Sequence, residues 1–159
     1  MSSLRRMLAI LDLFSEAAPV WAAEDLIARL GYSRPTGYRY VRELVAAGLL
    51  VRFTGGVYHL GPRIIQLDHQ IRATDPVLNA GAPIMKALAE QTGCHVLLAS
   101  LYGEQVLNIH HEPGLEKLDL VFVRGVPMPL VRGATSKAIL AHLPRARLRR
   151  IYDRHAKAI

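Results

Sequence analysis

The fold is decided by residues 30–42, which read LGYSRPTGYRYVR. Gly31 is the kind of residue that follows the last turn of a helix, because glycine adopts a left-handed backbone without steric cost. Ser33 is a suitable N-cap, and Pro35 is tolerated in a first helical turn because its missing N–H has no helical partner there. The stretch therefore predicts a helix that ends before Gly31, a short turn, and another helix that starts near Ser33.

Apolar spacing extends this pattern toward the N-terminus. Apolar residues recur at helical spacing between Leu4 and Phe14, which predicts a first helix over about 4–16. The second helix then covers about 22–30, and the third runs to about residue 47. The residues that the third helix is predicted to bury are Tyr38, Val41, Leu44 and Val45. Its opposite face is predicted to carry Thr36, Arg39, Tyr40 and Glu43, with Arg34 and Arg42 at the flanks.

A β-hairpin is predicted directly after the third helix. Residues 50–53 and 57–60 are strand-like, and Gly55-Gly56 between them suits a two-residue type I′ turn. That turn pairs Arg52 with His59. It would place Val51, Phe53, Tyr58 and Leu60 on one face of the hairpin, and Arg52 and His59 on the other.

The remainder of the chain mixes helices and strands, which places the whole in the α+β class. A helix over about 62–73 follows the hairpin, and Asp75-Pro76 marks a break that we take as a domain boundary. Beyond it, the patterns predict helices over about 77–91, 135–143 and 145–157 and strands over about 94–101, 105–110 and 117–123, with Pro127 and Pro129 interrupting the segment between. The predicted divisions are residues 1–61, 62–75 and 76–159.

The composition is basic and apolar. Lys and Arg number 20 against 13 Asp and Glu, a net charge of +7, and 51% of the residues are apolar. Excess positive charge suits a partner rich in phosphate, although the densest basic stretch, residues 145–157, is explained more readily by a solvated helix face. No apolar run approaches the roughly 18 residues of a membrane span, and no signal peptide is recognisable. The single cysteine, Cys94, excludes an internal disulfide, so the chain is predicted to be cytoplasmic.

Three short helices followed by a hairpin describe a winged helix-turn-helix, which suits double-stranded DNA. A helix fits the major groove, arginine near its start can pair with guanine, and a slim Gly-Gly tip can lie along a neighbouring groove. The residues predicted to face DNA are Ser33, Arg34, Thr36, Gly37, Arg39, Tyr40, Arg42, Arg52, Gly55 and Gly56. From the pattern alone, two alternatives stay open: a third helix that merely packs, and a winged helix that binds protein.

Six stretches of the sequence carry a resemblance to a known family. They are LRRMLAILDLF at 4–14, LGYSRPTGYR at 30–39, AGLL at 47–50, YHLGPR at 58–63, LAEQTG at 88–93 and GATSKAILA at 133–141. Their identity and order resemble the IclR family of bacterial transcriptional regulators. The resemblance implies an N-terminal winged helix-turn-helix, a linker helix used in dimerisation, and a C-terminal GAF-like effector domain. It also implies assembly into dimers or tetramers and binding of a small organic effector, often an aromatic or carboxylic acid.

The resemblance also assigns residues to the DNA contact and to the effector pocket, and it implies that the effector domain of this chain is shorter than is usual in the family. It places Arg34, Thr36, Gly37 and Arg39 where the recognition helix of the family meets promoter DNA, with Pro35 in place of the usual small or hydroxylic residue. The segment that it assigns to the effector pocket is Arg132, Gly133, Ala134, Thr135 and Ser136. Family effector domains continue by about as many residues again beyond Ile159, so the chain is expected to be a fragment or naturally truncated. A truncated domain would expose a sheet edge and apolar surface.

Enzymatic and metal chemistry are not expected. Cys94 and His95 are neighbours in a predicted strand and point to opposite faces, and a buried free thiol is the default for Cys94. His110-His111-Glu112 cannot easily share one ion for the same reason. We therefore predict no catalytic residues, no metal and no cofactor. Two rival functions remain: a module that pairs with a full-length regulator through residues 62–75, and a small-molecule-binding protein that does not contact DNA.

Overall fold

The computed structural model describes residues 2–117 and 123–156. The chain divides into two compact units, Met1–Ala73 and Thr74–Ile159, and each is described by itself. In the described residues, no helix is both long enough and apolar enough to cross a membrane.

The first unit is a bundle of helices with a small antiparallel sheet. Its elements are α1 (Ser3–Leu8), a short 3₁₀ helix (Leu11–Leu13), β1 (Trp21–Ala22), α2 (Ala23–Leu30), α3 (Arg34–Ala46), β2 (Leu50–Arg52), β3 (Val57–Leu60) and α4 (Pro62–Thr74). The predicted first helix over 4–16 is therefore broken into two pieces. The sheet has the order β1-β3-β2, and its two-residue edge strand β1 was not predicted because it is too short to show a period of two.

The core of this unit corrects the predicted faces of α3. The buried cluster consists of Ile10, Leu26, Tyr40, Val41, Leu44 and Leu50. Tyr40, predicted on the polar face, is only 5% exposed, whereas Tyr38, predicted in the core, is 43% exposed. The ring of Tyr40 packs edge-on against Tyr32, and its hydroxyl lies 2.8 Å from Ser3 Oγ. Partners for both the ring and the hydroxyl therefore hold Tyr40 inside.

Two glycines set the turn and the crossing of α2 and α3. Gly31 has φ 65° and ends α2 with a left-handed residue, as predicted. Gly37 is buried against α2, and a Cβ built on it would lie 2.2 Å from Ile27 Cγ1. The helices therefore approach each other at a point where only glycine fits.

The hairpin forms where predicted, but its register differs by one residue. Arg52 pairs with Tyr58, and Val51 pairs with His59. The loop holds three residues, Thr54, Gly55 and Gly56, rather than two, and it is closed by a hydrogen bond from Phe53 N to Val57 O of 2.9 Å. The predicted pairing of Arg52 with His59 is therefore wrong, because Thr54 belongs to the turn.

The hairpin formed by β2, its loop and β3 (residues 50–60) is called the wing below. The wing and α4 are joined to the end of α3 by a seam of backbone contacts. Gly61 N donates to Leu49 O at 2.8 Å, and Arg63 N donates to Gly48 O at 3.1 Å. A Cβ on Gly61 would lie 2.1 Å from Gly48 O, so the two chain segments meet at van der Waals distance. This seam, formed by residues 48–49 and 61–63, fixes the base of the wing and the start of α4 on the same support.

The second unit is a sheet flanked by helices. Its elements are α5 (Pro76–Thr92), β4 (Val96–Tyr102), β5 (Gln105–Glu112), β6 (Pro127–Met128), α6 (Ala134–Ala141) and α7 (Arg145–His155). The sheet has the order β4-β5-β6, and Val106, Leu130 and Ile151 form its buried cluster. Pro127, predicted to interrupt the chain, forms part of β6, which among residues 2–117 and 123–156 pairs only with β5, so that a proline is tolerated there. The strand predicted over 117–123 falls mainly on residues 118–122, outside the described residues.

Candidate nucleic-acid interface

A cationic cleft lies between α3 and the wing. Its volume is 610 Å³, and the residues that line it are Pro35, Tyr38, Arg39, Val41, Arg42, Val45, Arg52 and Tyr58. Arg39 and Arg42 project from α3, and Arg52 projects from β2 on the opposite wall; all three are exposed. Three of the predicted arginines, two from the helix and one from the wing, therefore line one shared cleft.

The start of α3 is arranged differently from the expectation. Ser33 occupies the N-cap position, but its Oγ donates to Thr36 Oγ1 at 3.0 Å instead of capping a backbone N–H. Arg34 follows as the first helical residue and is exposed. Ser33, Arg34 and Thr36 thus lie together at the helix end that can reach base edges.

Two predicted DNA-facing residues of α3 are buried. Tyr40 lies in the core, so its side chain cannot reach a groove. Gly37 fills the crossing with α2, so its role is packing rather than contact with DNA. Both assignments are corrected by the same finding, because α3 turns this side toward α1 and α2.

One acidic residue belongs to the cleft region and was missed in the sequence. The Tyr38 hydroxyl donates to Oε1 of Glu24, which lies exposed in the first turn of α2. This hydrogen bond, a backbone hydrogen bond, and the charges of Arg34 and Arg52 together lower the pKa of Glu24. Glu24 therefore stays ionised among the arginines. The sequence signal was present only as an acid in a first helical turn, where the helix dipole alone explains it.

The wing presents Arg52 and two glycines. Gly55 has φ 84° and Gly56 has φ 80°, which a side chain would strain, so the tip is narrow as well as sharply turned. On the other face, the ring of His59 lies 4.5 Å from that of Phe53. Arg52 is therefore separated from His59 and directed toward the cleft with Tyr58.

The segment predicted to bind an effector is only partly available to a ligand. Arg132, Gly133 and Ala134 are exposed at the start of α6, and Thr135 is half-buried. Ser136 is 1% exposed, and its Oγ donates to Pro129 O at 2.6 Å. Ser136 therefore supports the loop before α6, and its predicted contact with an effector stays a prediction.

Three histidines of the second unit form two side-chain pairs on β4 and β5 or at their ends. Nδ1 of His95 lies 2.8 Å from Nε2 of His111, with the rings stacked, and Nε2 of His110 lies 2.8 Å from Oε1 of Glu112. Among the described residues, no group of three His, Cys, Asp or Glu side chains is placed to hold a metal. Cys94 is exposed, contrary to the expected buried thiol, because β4 begins only at Val96.

Comparison with known families gives two successive matches along the chain. Residues 3–52 match the IclR helix-turn-helix domain, and residues 70–158 match the family described as bacterial transcriptional regulator IclR C-terminal. The transcriptional regulator KipR of Bacillus subtilis is 25% identical over 140 residues, which are 88% of this chain and 56% of KipR. The regulator TtgV of Pseudomonas putida is 34% identical over 121 residues, 74% of this chain and 46% of TtgV. The chain thus spans about half the length of these relatives, and both are regulators rather than enzymes.

Solved structures share the fold. An IclR family regulator from Brucella abortus has a TM-score of 0.79 at 20% identity, covering 98% of this chain and 61% of the other. An IclR homologue from Microbacterium hydrocarbonoxydans, complexed with 4-hydroxybenzoate, has a TM-score of 0.62 at 22% identity, covering 99% and 75%. At these identities the likeness establishes the fold, which is the α+β arrangement expected from the sequence.

Proposed function

Since the chain belongs to the IclR family of bacterial transcriptional regulators, we propose that it binds promoter DNA sequence-specifically in the cytoplasm. The observation that carries this proposal is the cleft between α3 and the wing, where Arg39, Arg42 and Arg52 are exposed toward one space. Arginines gathered on one surface neutralise phosphates and release counterions, which drives binding to a duplex.

The parts of the interface have different roles in this proposal. α3 enters the major groove, where Arg34, Thr36 and Arg39 contact base edges and Arg42 contacts phosphate. The wing, with Arg52 and the tip at Gly55-Gly56, follows the backbone into the neighbouring groove. A homodimer or tetramer joined through α4 reads two half-sites, whose spacing is set by the distance between the two recognition helices.

A small organic acid is the proposed effector. The support is the relative described as complexed with 4-hydroxybenzoate, together with the exposed Arg132, Gly133 and Ala134 at the start of α6. Arginine and helix N-terminal N–H groups both favour a carboxylate. An effector changes DNA affinity only if it binds the DNA-competent arrangement and the incompetent one unequally.

The test first selects the DNA sequences that the protein binds and then measures how a single substitution in α3 changes the affinity for them. The full chain is used to select duplexes from a random library, and affinity is then measured for the selected duplex and a scrambled one. We expect Arg39→Ala to weaken binding to the selected duplex by about 10- to 100-fold, since one bidentate base contact contributes about 1–3 kcal/mol. Arg29→Ala, which removes an exposed arginine of α2 outside the cleft, is the matched control and should bind as the parent does. Failure to select any sequence, or equal binding by Arg39→Ala and the parent, would contradict the proposal.

A further inference from the structure

Glu24 is an exposed carboxylate beside the arginines of the cleft, and it is distinct from Glu43 of α3, which lies 3.5 Å from Arg42. Three elements converge on it: its own helix α2, the start of α3, and the wing strand β2. Its carboxylate accepts the hydrogen bond of Tyr38, and its pKa is lowered by the charges of Arg34 and Arg52 in addition to that bond. The carboxylate therefore carries a negative charge where phosphates are proposed to lie.

The effect of this carboxylate on DNA affinity depends on whether the duplex is held by phosphate contacts alone or also by base contacts. A duplex held only by its phosphates is attracted by charge alone, so a fixed negative charge weakens that complex directly. A duplex held also by base contacts gains from any side chain that is already ordered, since ordering a free side chain on binding has an entropic cost. The same carboxylate can therefore oppose non-specific binding while supporting specific binding.

Tyr38 is the side chain that Glu24 orders. Its ring is 43% exposed and lines the cleft, while its hydroxyl is held by Glu24. An aromatic ring gives a large apolar contact area with few rotatable bonds, which suits a methyl group or sugar in a groove. Tyr58, from β3, lines the same cleft beyond the arginines.

We propose that Glu24 and Tyr38 form a specificity-determining pair of the DNA interface. The Tyr38 ring contacts the duplex inside the cleft, and Glu24 holds the ring in position and repels the phosphates of a duplex whose bases do not match. This inference rests on the proposed function and adds to it a contact residue and a positioning residue.

The experiment compares the specificity ratio of the parent with that of two variants. This ratio is the affinity for the selected duplex divided by the affinity for the scrambled one. Dissociation constants are measured for the selected and scrambled duplexes at several salt concentrations, for the parent, Glu24→Gln and Tyr38→Phe. We expect Glu24→Gln to bind the scrambled duplex about tenfold more tightly without binding the selected duplex more tightly, so that the specificity ratio falls about tenfold, or about 1.4 kcal/mol. Tyr38→Phe keeps the ring but frees Glu24, so we expect weaker binding to the selected duplex and little change for the scrambled one.

Neighbouring residues supply matched controls. Asp25→Asn removes the adjacent exposed acid in the same first turn of α2, and Tyr152→Phe removes the hydroxyl of an exposed tyrosine of the second unit. Both should keep the specificity ratio of the parent. A parallel change of both affinities in Glu24→Gln, or an equal fall of the ratio in Asp25→Asn, would overturn the inference. If the parent itself does not discriminate between the duplexes, the proposed function fails; if it does and Arg39→Ala loses this while Glu24→Gln keeps the ratio, only the present inference fails.

Discussion

Gly37 lies where α2 and α3 cross, and its missing side chain decides how closely the two helices approach. A methyl group added there would lie 2.2 Å from Ile27 Cγ1, and Ile27 is itself only 5% exposed. The orientation of α3, and with it the direction of Arg34 and Arg39, therefore depends on one absent Cβ.

We expect Gly37→Ala to lower the free energy of unfolding of the first unit by about 1–3 kcal/mol, because overpacking a filled core has that cost. The measurement is urea denaturation followed by the fluorescence of the single tryptophan, Trp21, which lies in this unit. Gly81→Ala is the control in the second unit, where its stability is followed by far-UV circular dichroism, since a Cβ on this helical glycine would meet only Leu98 Cδ2 at 4.0 Å. It should be neutral or stabilising, and a similar loss in both variants would contradict the steric explanation.

Which of the two tyrosines of α3 is buried could not be predicted from the sequence. Helical spacing placed Tyr38 in the core and Tyr40 outside, and the structure reverses them. Tyrosine has both an apolar ring and a polar hydroxyl, so spacing alone does not decide between the two positions. Partners that are distant in the sequence decide it. Tyr40 contacts Ser3 through its hydroxyl and Tyr32 through its ring, and the Tyr38 hydroxyl donates a hydrogen bond to Glu24. The exposed arginines were predictable, because their charge alone excludes them from the core.

At the level of elements, the existence of the wing was predictable and its register was not. Gly55 and Gly56 both adopt positive φ, which a two-residue turn and a three-residue loop would each accept. The two loops differ in whether Thr54 pairs with the opposite strand or belongs to the loop. The conformational preference of threonine does not decide between these positions. The shift is small but changes the surroundings of Arg52, since it places Arg52 in the cleft with Tyr58 rather than alongside His59.

The pairing of β4 with β5 predicts a pH dependence for the second unit. Burial first, and then the charge of His95, lowers the pKa of His111, with His110 acting in the same direction and Glu112 against it. In the unfolded chain this pKa returns to about 6.5. As the pH falls below that value, the unfolded state takes up a proton that the folded state resists, so the free energy of unfolding decreases on acidification.

We therefore expect the stability of the second unit to fall between about pH 7 and pH 5, and His111→Gln to flatten this fall. Far-UV circular dichroism during chemical denaturation at a series of pH values measures it. His142→Gln, which changes an exposed histidine of the same unit, is the control and should keep the dependence of the parent. A profile for His111→Gln as steep as that of the parent would assign the acid sensitivity to other groups.

At the scale of the whole molecule, two separate cores support two units. Ile10, Leu26 and Leu44 belong to one core, and Val106 and Ile151 to the other. The break near Asp75-Pro76 was visible in the sequence because proline and an N-capping aspartate start a new helix there. The short edge strand β6 was not visible, since its two residues gain their strand character from pairing with Val106 and Leu107.

Separate cores predict separate responses to a cavity. We expect Ile151→Ala to lower the free energy of unfolding of the second unit by about 2–5 kcal/mol, because Ile151 is only 2% exposed. The transition reported by Trp21 fluorescence should stay unchanged while the transition reported by circular dichroism moves. Ile84→Ala, at a position 70% exposed, is the control with a change below about 0.5 kcal/mol. A concerted shift of both signals would mean that the two cores unfold as one.

The seam at residues 48–49 and 61–63 has a mechanical consequence. It ties the first residues of α4 to the root of the wing and to the far end of α3, 13 helical residues and thus about 20 Å from Arg34. A twist of α4 is therefore passed to the wing at short range and to the start of α3 only along the whole length of that helix. Under the proposed function, a signal that travels through α4 first alters the contacts of the wing with the sugar–phosphate backbone, and the base contacts of α3 afterwards.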